Sequence, residues 1–256
     1  MTRFYCPFFR GKPNTYNVAE AVNEAINAYV AAKQDSFKTF IEACAKLKDV
    51  KYASPDAAEA YIMGLLAPNV DARLFEIVSF AILKYFYHDQ FVYFGFTLED
   101  IKKEQLRLFK TGRTNANDGG IDFVMRPLGR FFQVTETLDV KKYFLDIDKL
   151  ERFPISFVIK SEEGIEELRG RLEQGAKVLY GVDSVVRTCM ACIEEIINVP
   201  KLRECFQAAV KQQYLPDILD EIVKQSMVEF NYSEETGAVD EDVVNEGEED
   251  QGAANA

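Results

Sequence analysis

Residues 154–160 (Pro154, Ile155, Ser156, Phe157, Val158, Ile159, Lys160) form an almost continuous apolar run. Its length and its aromatic and β-branched content are those of a strand, and the lack of polar alternation marks a strand buried on both faces. Such a strand needs helices above and below its sheet. The chain supplies them, because its hydrophobic period is helical on either side of a β-patterned region at about 91–160.

On the N-terminal side, Asn17 caps an expected helix at about 18–34, where Val18, Val22, Ala25, Ile26, Tyr29 and Val30 recur at three- and four-residue spacing. A second helix is expected over 35–48, with Phe37, Phe40, Ile41, Cys44 and Leu47 inward. Ser54, Pro55 and Asp56 read as the cap and first turn of a third, which Pro68 stops. Asp71 opens a fourth, whose stripe is Leu74, Ile77, Val78, Ala81, Ile82 and Tyr85. Phe75, Phe80 and Leu83 lie off that stripe, so this helix is apolar nearly all round and should be central. Strands are expected at about 91–96, 121–125 and 130–137, the last two joined by a turn at Pro127, Leu128 and Gly129. Helices follow at about 139–150 and 164–174, then a short last strand at 178–182, and helices at 183–197, 200–212 and 215–229.

The fold class implied is α/β, more narrowly α+β, with a small central mixed β-sheet flanked by helical layers. One domain is expected over residues 1–232: a helical layer at 1–90, a core at about 73–180 and C-terminal helices at 183–230. An acidic tail without aromatics follows at 233–256 and is expected to be disordered.

The charge supports that division. The chain carries 30 basic and 42 acidic residues, a net of −12, but nine of the acids lie in the last 24 residues with no base among them. Residues 1–232 therefore stand at only −3, and between Lys102 and Lys142 nine bases outnumber five acids. A local phosphate-binding face is compatible with that excess. No run of eighteen apolar residues occurs, so no membrane span is expected. The N-terminus does not read as a signal peptide. Five scattered cysteines (Cys6, Cys44, Cys189, Cys192, Cys205) suit reduced thiols in a cytoplasmic protein. Cys189 and Cys192 lack a second pair, and His88 is the sole histidine, so a zinc site has no support. The Gly112–Gly120 loop lacks the Gly-Lys-Ser/Thr ending of a nucleotide loop.

That loop nevertheless delivers Asp122 to the start of an apolar strand, just after Gly119 and Gly120, which would let a phosphate backbone come close. Eleven residues on, Gln133 lies on the next strand, and Thr135 points to the same face by the two-residue period; Phe132, Val134 and Glu136 point to the other. Phosphodiester hydrolysis needs an activated water, a stabilised leaving oxygen and neutralised phosphoryl charge. A divalent ion held by oxygen ligands on neighbouring strands provides all three, and Mg²⁺ prefers carboxylate and carbonyl oxygens.

The sequence Asp118, Gly119, Gly120, Ile121, Asp122, followed at this distance by Phe131, Phe132, Gln133, Val134 and Thr135, resembles the core of the PD-(D/E)XK nuclease superfamily, nearest to the type II restriction endonucleases. The resemblance covers about residues 73–160 and implies a restriction-endonuclease-like fold and Mg²⁺-dependent cleavage of double-stranded DNA at a short specific sequence. Asp122 and Gln133 would be the metal ligands. The catalytic set would be Asp122, Gln133 and Thr135, with Glu76 on the preceding helix. Arg113, Asn115, Asn117, Arg126 and Arg130 would contact DNA, bidentate to phosphate or base edges. Lys102, Lys103, Lys110, Lys141 and Lys142 would contact phosphate. A homodimer follows from the match between palindromic sites and two-fold proteins. The family lysine falls on Thr135. Another residue could take its role (Glu136, Lys141, Lys142 or Lys160), the metal could act without it, or the protein could bind DNA without cutting.

Overall fold

The computed structural model describes residues 18–48, 55–112, 121–136, 139–149 and 151–230. Two compact units divide the chain: Met1–Ala45 with Ser233–Ala256, and Lys46–Tyr232. The described part of the first is helix α1 (Val18–Lys48), which runs on into the second. Where two helices were expected there is one of 31 residues. No glycine or proline lies between Val18 and Lys48, so nothing interrupts the backbone ladder. The expected apolar stripe of its first half is exposed at Val18, Val22, Ile26, Tyr29 and Val30, while Phe37, Phe40 and Cys44 further along are buried.

The second unit begins with α2 (Pro55–Gly64) and α3 (Ala72–Phe86). Asp71 caps α3 by accepting the Arg73 N–H at 3.0 Å. All nine residues from Phe75 to Leu83 are buried, as an all-round apolar helix requires. Strands β1 (Phe91–Phe94) and β2 (Lys102–Gln105) pair antiparallel as a separate ribbon. The main sheet contains β3 (Arg107–Lys110), β4 (Phe123–Arg126), β5 (Arg130–Thr135), β6 (Ile155–Ile159) and β7 (Ile193–Ile197), in that spatial order. Pairs β3–β4 and β4–β5 are antiparallel; β5–β6 and β6–β7 are parallel. The crossovers are α4 (Val140–Lys149), then α5 (Ile165–Tyr180) with α6 (Asp183–Ala191); α7 (Val199–Lys211) and α8 (Leu215–Glu229) close the unit. This is a mixed α/β, α+β architecture.

Strand β6 is buried at all five positions. One face of the sheet rests on α3, with Phe80 against Phe123 at 5.2 Å between ring centroids and Tyr87 against Phe132 at 6.4 Å. The other carries α4, α5 and α6 through a core that includes Tyr143, Phe157, Ile159, Leu172 and Cys189. Gly175 lets α4 and α5 close together: a Cβ there would stand 2.5 Å from the Val140 methyls.

The strand expected at 178–182 does not form. Residues 178–180 finish α5, and Gly181 ends it in the left-handed region at φ +64°, its N–H donating to the Lys177 carbonyl at 3.0 Å. The last strand is instead β7, inside the expected helix 183–197. Ile193, Ile196 and Ile197 stand at the three- and four-residue spacing of a helix, and parallel pairing with β6 overrides that local pattern. Cys44, Cys189, Cys192 and Cys205 are buried free thiols. Among the described residues no helix is long and apolar enough to cross a membrane.

Candidate active site

The β4–β5 hairpin turns through Pro127, Leu128 and Gly129, the last at φ +65°. Its ladder pairs Met125 with Arg130 and Phe123 with Phe132. The regular pairing ends there: the Asp122 N–H bonds to Phe132, the residue that Phe123 already faces, so Asp122 sits at an irregularity beside Phe132, one residue short of Gln133. Backbone bonds hold Asp122 from both sides. Its N–H donates to the Phe132 carbonyl at 2.9 Å, and its own carbonyl accepts the Thr111 N–H at 3.0 Å. The Thr111 hydroxyl also donates to the Asp122 carbonyl at 3.0 Å, and to that of Ile121. The carboxylate Oδ2 accepts the Val134 N–H at 2.6 Å. It thus serves an amide that faces β4 just where β4 has no further residue to offer.

Gln133 is 7% exposed, and its Nε2 donates to the Val134 carbonyl at 3.3 Å. Its Oε1 is buried with no hydrogen-bond partner. A buried acceptor left unsatisfied costs about 1–3 kcal/mol, and native proteins keep few of them. Its chemistry is that of an oxygen ligand to a hard cation. With the Asp122 carboxylate, held at the amide of the next residue, it offers two oxygen donors, a set whose chemistry fits Mg²⁺, which keeps several waters in its shell. Among the described residues no three His, Cys, Asp or Glu side chains gather as a metal cluster.

Thr135 is buried on the same face, beneath α4. There it neighbours Tyr143, whose phenol burial pushes well above the ordinary range; Asp146 adds to that rise and Thr135 opposes it. Asp146 is itself buried. The sequence reading missed Tyr143 and Asp146. Their signal was available only as polar groups on an otherwise apolar stripe of α4.

The Asp122 carboxylate thus lies at the backbone between Gln133 and Thr135, but Glu76 is not near them. It lies on α3, under the opposite face, where its Oε1 is 2.9 Å from the Lys110 ammonium; Glu229 of α8 adds a second carboxylate at 3.4 Å. Lys110, expected at a phosphate, is committed to that pair. Arg130 also departs from expectation. It stacks on Phe132 and donates to Ser156 Oγ at 3.0 Å and Glu195 Oε2 at 2.5 Å, so its guanidinium is used inside the fold. Lys160 follows the same pattern, its ammonium held by Glu136 Oε1 at 2.5 Å and by the Val70 carbonyl, on the α3 side. That position removes it as a replacement for a lysine at Thr135. Arg126, Lys102, Lys103, Lys141 and Lys142 are exposed. Arg113, Asn115 and Asn117 lie outside the described residues.

No family model matches the chain, and no curated protein and no solved structure is significantly similar to it.

Proposed function

We propose that the chain is a Mg²⁺-dependent endonuclease of the type II restriction kind, hydrolysing phosphodiester bonds in double-stranded DNA at a specific short sequence. The observation that carries this reading is the Asp122 carboxylate held at the Val134 N–H, next in the chain to Gln133, whose buried Oε1 has no partner. These two residues would hold the ion. When bound, Mg²⁺ neutralises phosphoryl charge and makes a water nucleophilic near neutral pH. Thr135 carries no charge, so its part is confined to hydrogen bonding beside Tyr143. Exposed Arg126, Lys141 and Lys142 would meet phosphates and position the duplex. A symmetric dimer would present two such sites to a palindrome.

A second reading, a DNA-binding protein that keeps this arrangement without cutting, is favoured by the fate of the cations. Thr135 stands where a lysine is expected, and the Lys160 ammonium is engaged by Glu136 on the other face. Purified protein incubated with mixed-sequence plasmid and Mg²⁺ separates the two. Discrete fragments, abolished by Asp122→Asn, support the nuclease. Intact plasmid with salt-dependent retention of one duplex supports the binding protein. Neither cleavage nor retention removes both.

A further inference from the structure

Strand β3 ends the main sheet, and its outer edge opens into a cleft of about 690 Å³. The floor of the cleft is α3, at Phe80 and Lys84, with His88 just past its end, and α8 forms the far wall. Because the Thr111 N–H donates to Asp122, the residues of β3 that bond to β4 are the odd-numbered ones. The N–H and C=O groups of Leu108 and Lys110 therefore point away from β4, and among the described residues no backbone group pairs with them. An edge of this kind is a template for another strand. An edge strand facing a helix across a groove is the arrangement in which an extended peptide adds to a sheet: main-chain bonds give affinity, and the walls read alternate side chains.

The lining selects the peptide's chemistry. Four basic side chains (Lys84, Arg107, Lys110, Lys224) face two carboxylates (Glu221, Glu229). The carboxylates are already used, Glu221 by Lys84 at 2.8 Å and Glu229 by Lys110 at 3.4 Å. Arg107 on the strand and Lys224 on the helix are exposed and make no ion pair among the described residues. The surplus positive charge thus lies on the two open walls, while Leu108, Phe109 and Val228 supply apolar surface between them.

We propose that this cleft binds an extended acidic segment of a partner protein as an added strand along β3, with carboxylates toward Arg107 and Lys224 and apolar residues toward the floor. The site is separate from the Asp122–Gln133 pair and stands whether or not DNA is cut.

The test uses the full chain and a fluorescein-labelled octapeptide of alternating Glu and Val, read by fluorescence anisotropy and by residue-resolved amide exchange. Saturable binding is expected, with slowed exchange at Leu108 and Lys110. Arg107→Glu combined with Lys224→Glu, both at exposed positions, should weaken binding at least about tenfold. N-methylation of alternate peptide amides, on the side that would bond to β3, should abolish it. Four results overturn the proposal: no binding; equal binding of a Lys-Val octapeptide; protection of Leu108 and Lys110 that grows with protein concentration alone, which would mean a second copy occupies the edge; or equal displacement by a single-stranded oligonucleotide.

Discussion

The Val134 amide donates to Asp122 Oδ2 at 2.6 Å, across the point where the β4–β5 ladder runs out. One carboxylate therefore does two things that can be separated: it terminates a sheet, and it carries the charge that a metal site would need. Asp122→Ala removes both, so the Val134 N–H loses its acceptor at a cost of about 1–3 kcal/mol in urea unfolding. Asp122→Asn keeps a carbonyl acceptor and is expected to unfold within about 1 kcal/mol of wild type, yet to lose DNA cleavage completely. An Asn variant that cuts normally would confine Asp122 to the structural role.

Gln133 gives the opposite signature. Its Oε1 has no partner, so Gln133→Met, close in volume and without the orphaned oxygen, is expected to leave thermal stability in chelator unchanged or slightly raised. Wild type should gain stability on adding Mg²⁺, by about 2.7 kcal/mol at a hundred times Kd, and the variant should not. Differential scanning calorimetry with and without Mg²⁺ reads this directly. Equal Mg²⁺ shifts in both proteins would remove Gln133 from the metal site.

Glu76 is expected to matter for folding and not for chemistry. Glu76→Gln leaves the Lys110 ammonium, almost fully buried, with Glu229 alone. Breaking a buried pair costs up to about 3–5 kcal/mol, and the remaining carboxylate reduces that. Urea midpoints should fall, while cleavage per folded molecule stays at the wild-type rate. A folded variant without cleavage would return Glu76 to the catalytic set.

Cys205 provides a pH dependence with a definite sign. Burial pushes its thiol up to about 12, with Lys201 opposing and Glu195 and Glu204 reinforcing. In the unfolded chain the thiol ionises near its usual value of about 8.5, so between there and about 12 the folded state holds more protons. Its contribution is fully present below the unfolded value and is lost as pH rises through this window. Urea unfolding at stepped alkaline pH should show a falling stability that Cys205→Ala makes shallower. Iodoacetamide should leave Cys205 unmodified in the native protein at pH 8.

Thr135→Lys tests the non-cutting alternative. If the missing charge alone prevents cleavage, this variant should cut plasmid that wild type only binds. Circular dichroism is needed alongside, since position 135 is buried beneath α4 and an unpaired ammonium there is costly.

Much of this protein was determined by sequence alone, wherever the signal is local. The run at 154–160 required a strand covered on both faces, and β6 is one. Asp71 and the all-round apolar helix after it required a central α3. The proline–glycine turn between two apolar runs required a hairpin, and β4–β5 is one, though its pairing stops at Phe123 and the Asp122 carboxylate meets the Val134 amide. Tertiary structure decided what pairing and packing decide. Ile193, Ile196 and Ile197 carry a helical spacing that pairing with the β6 edge overrides. Glu76, Arg130 and Lys160 look like available charges in a one-dimensional chain. Each is spent inside the fold, on Lys110, on Ser156 with Glu195, and on Glu136, because a buried charge must find a partner and only the folded chain decides which one is near.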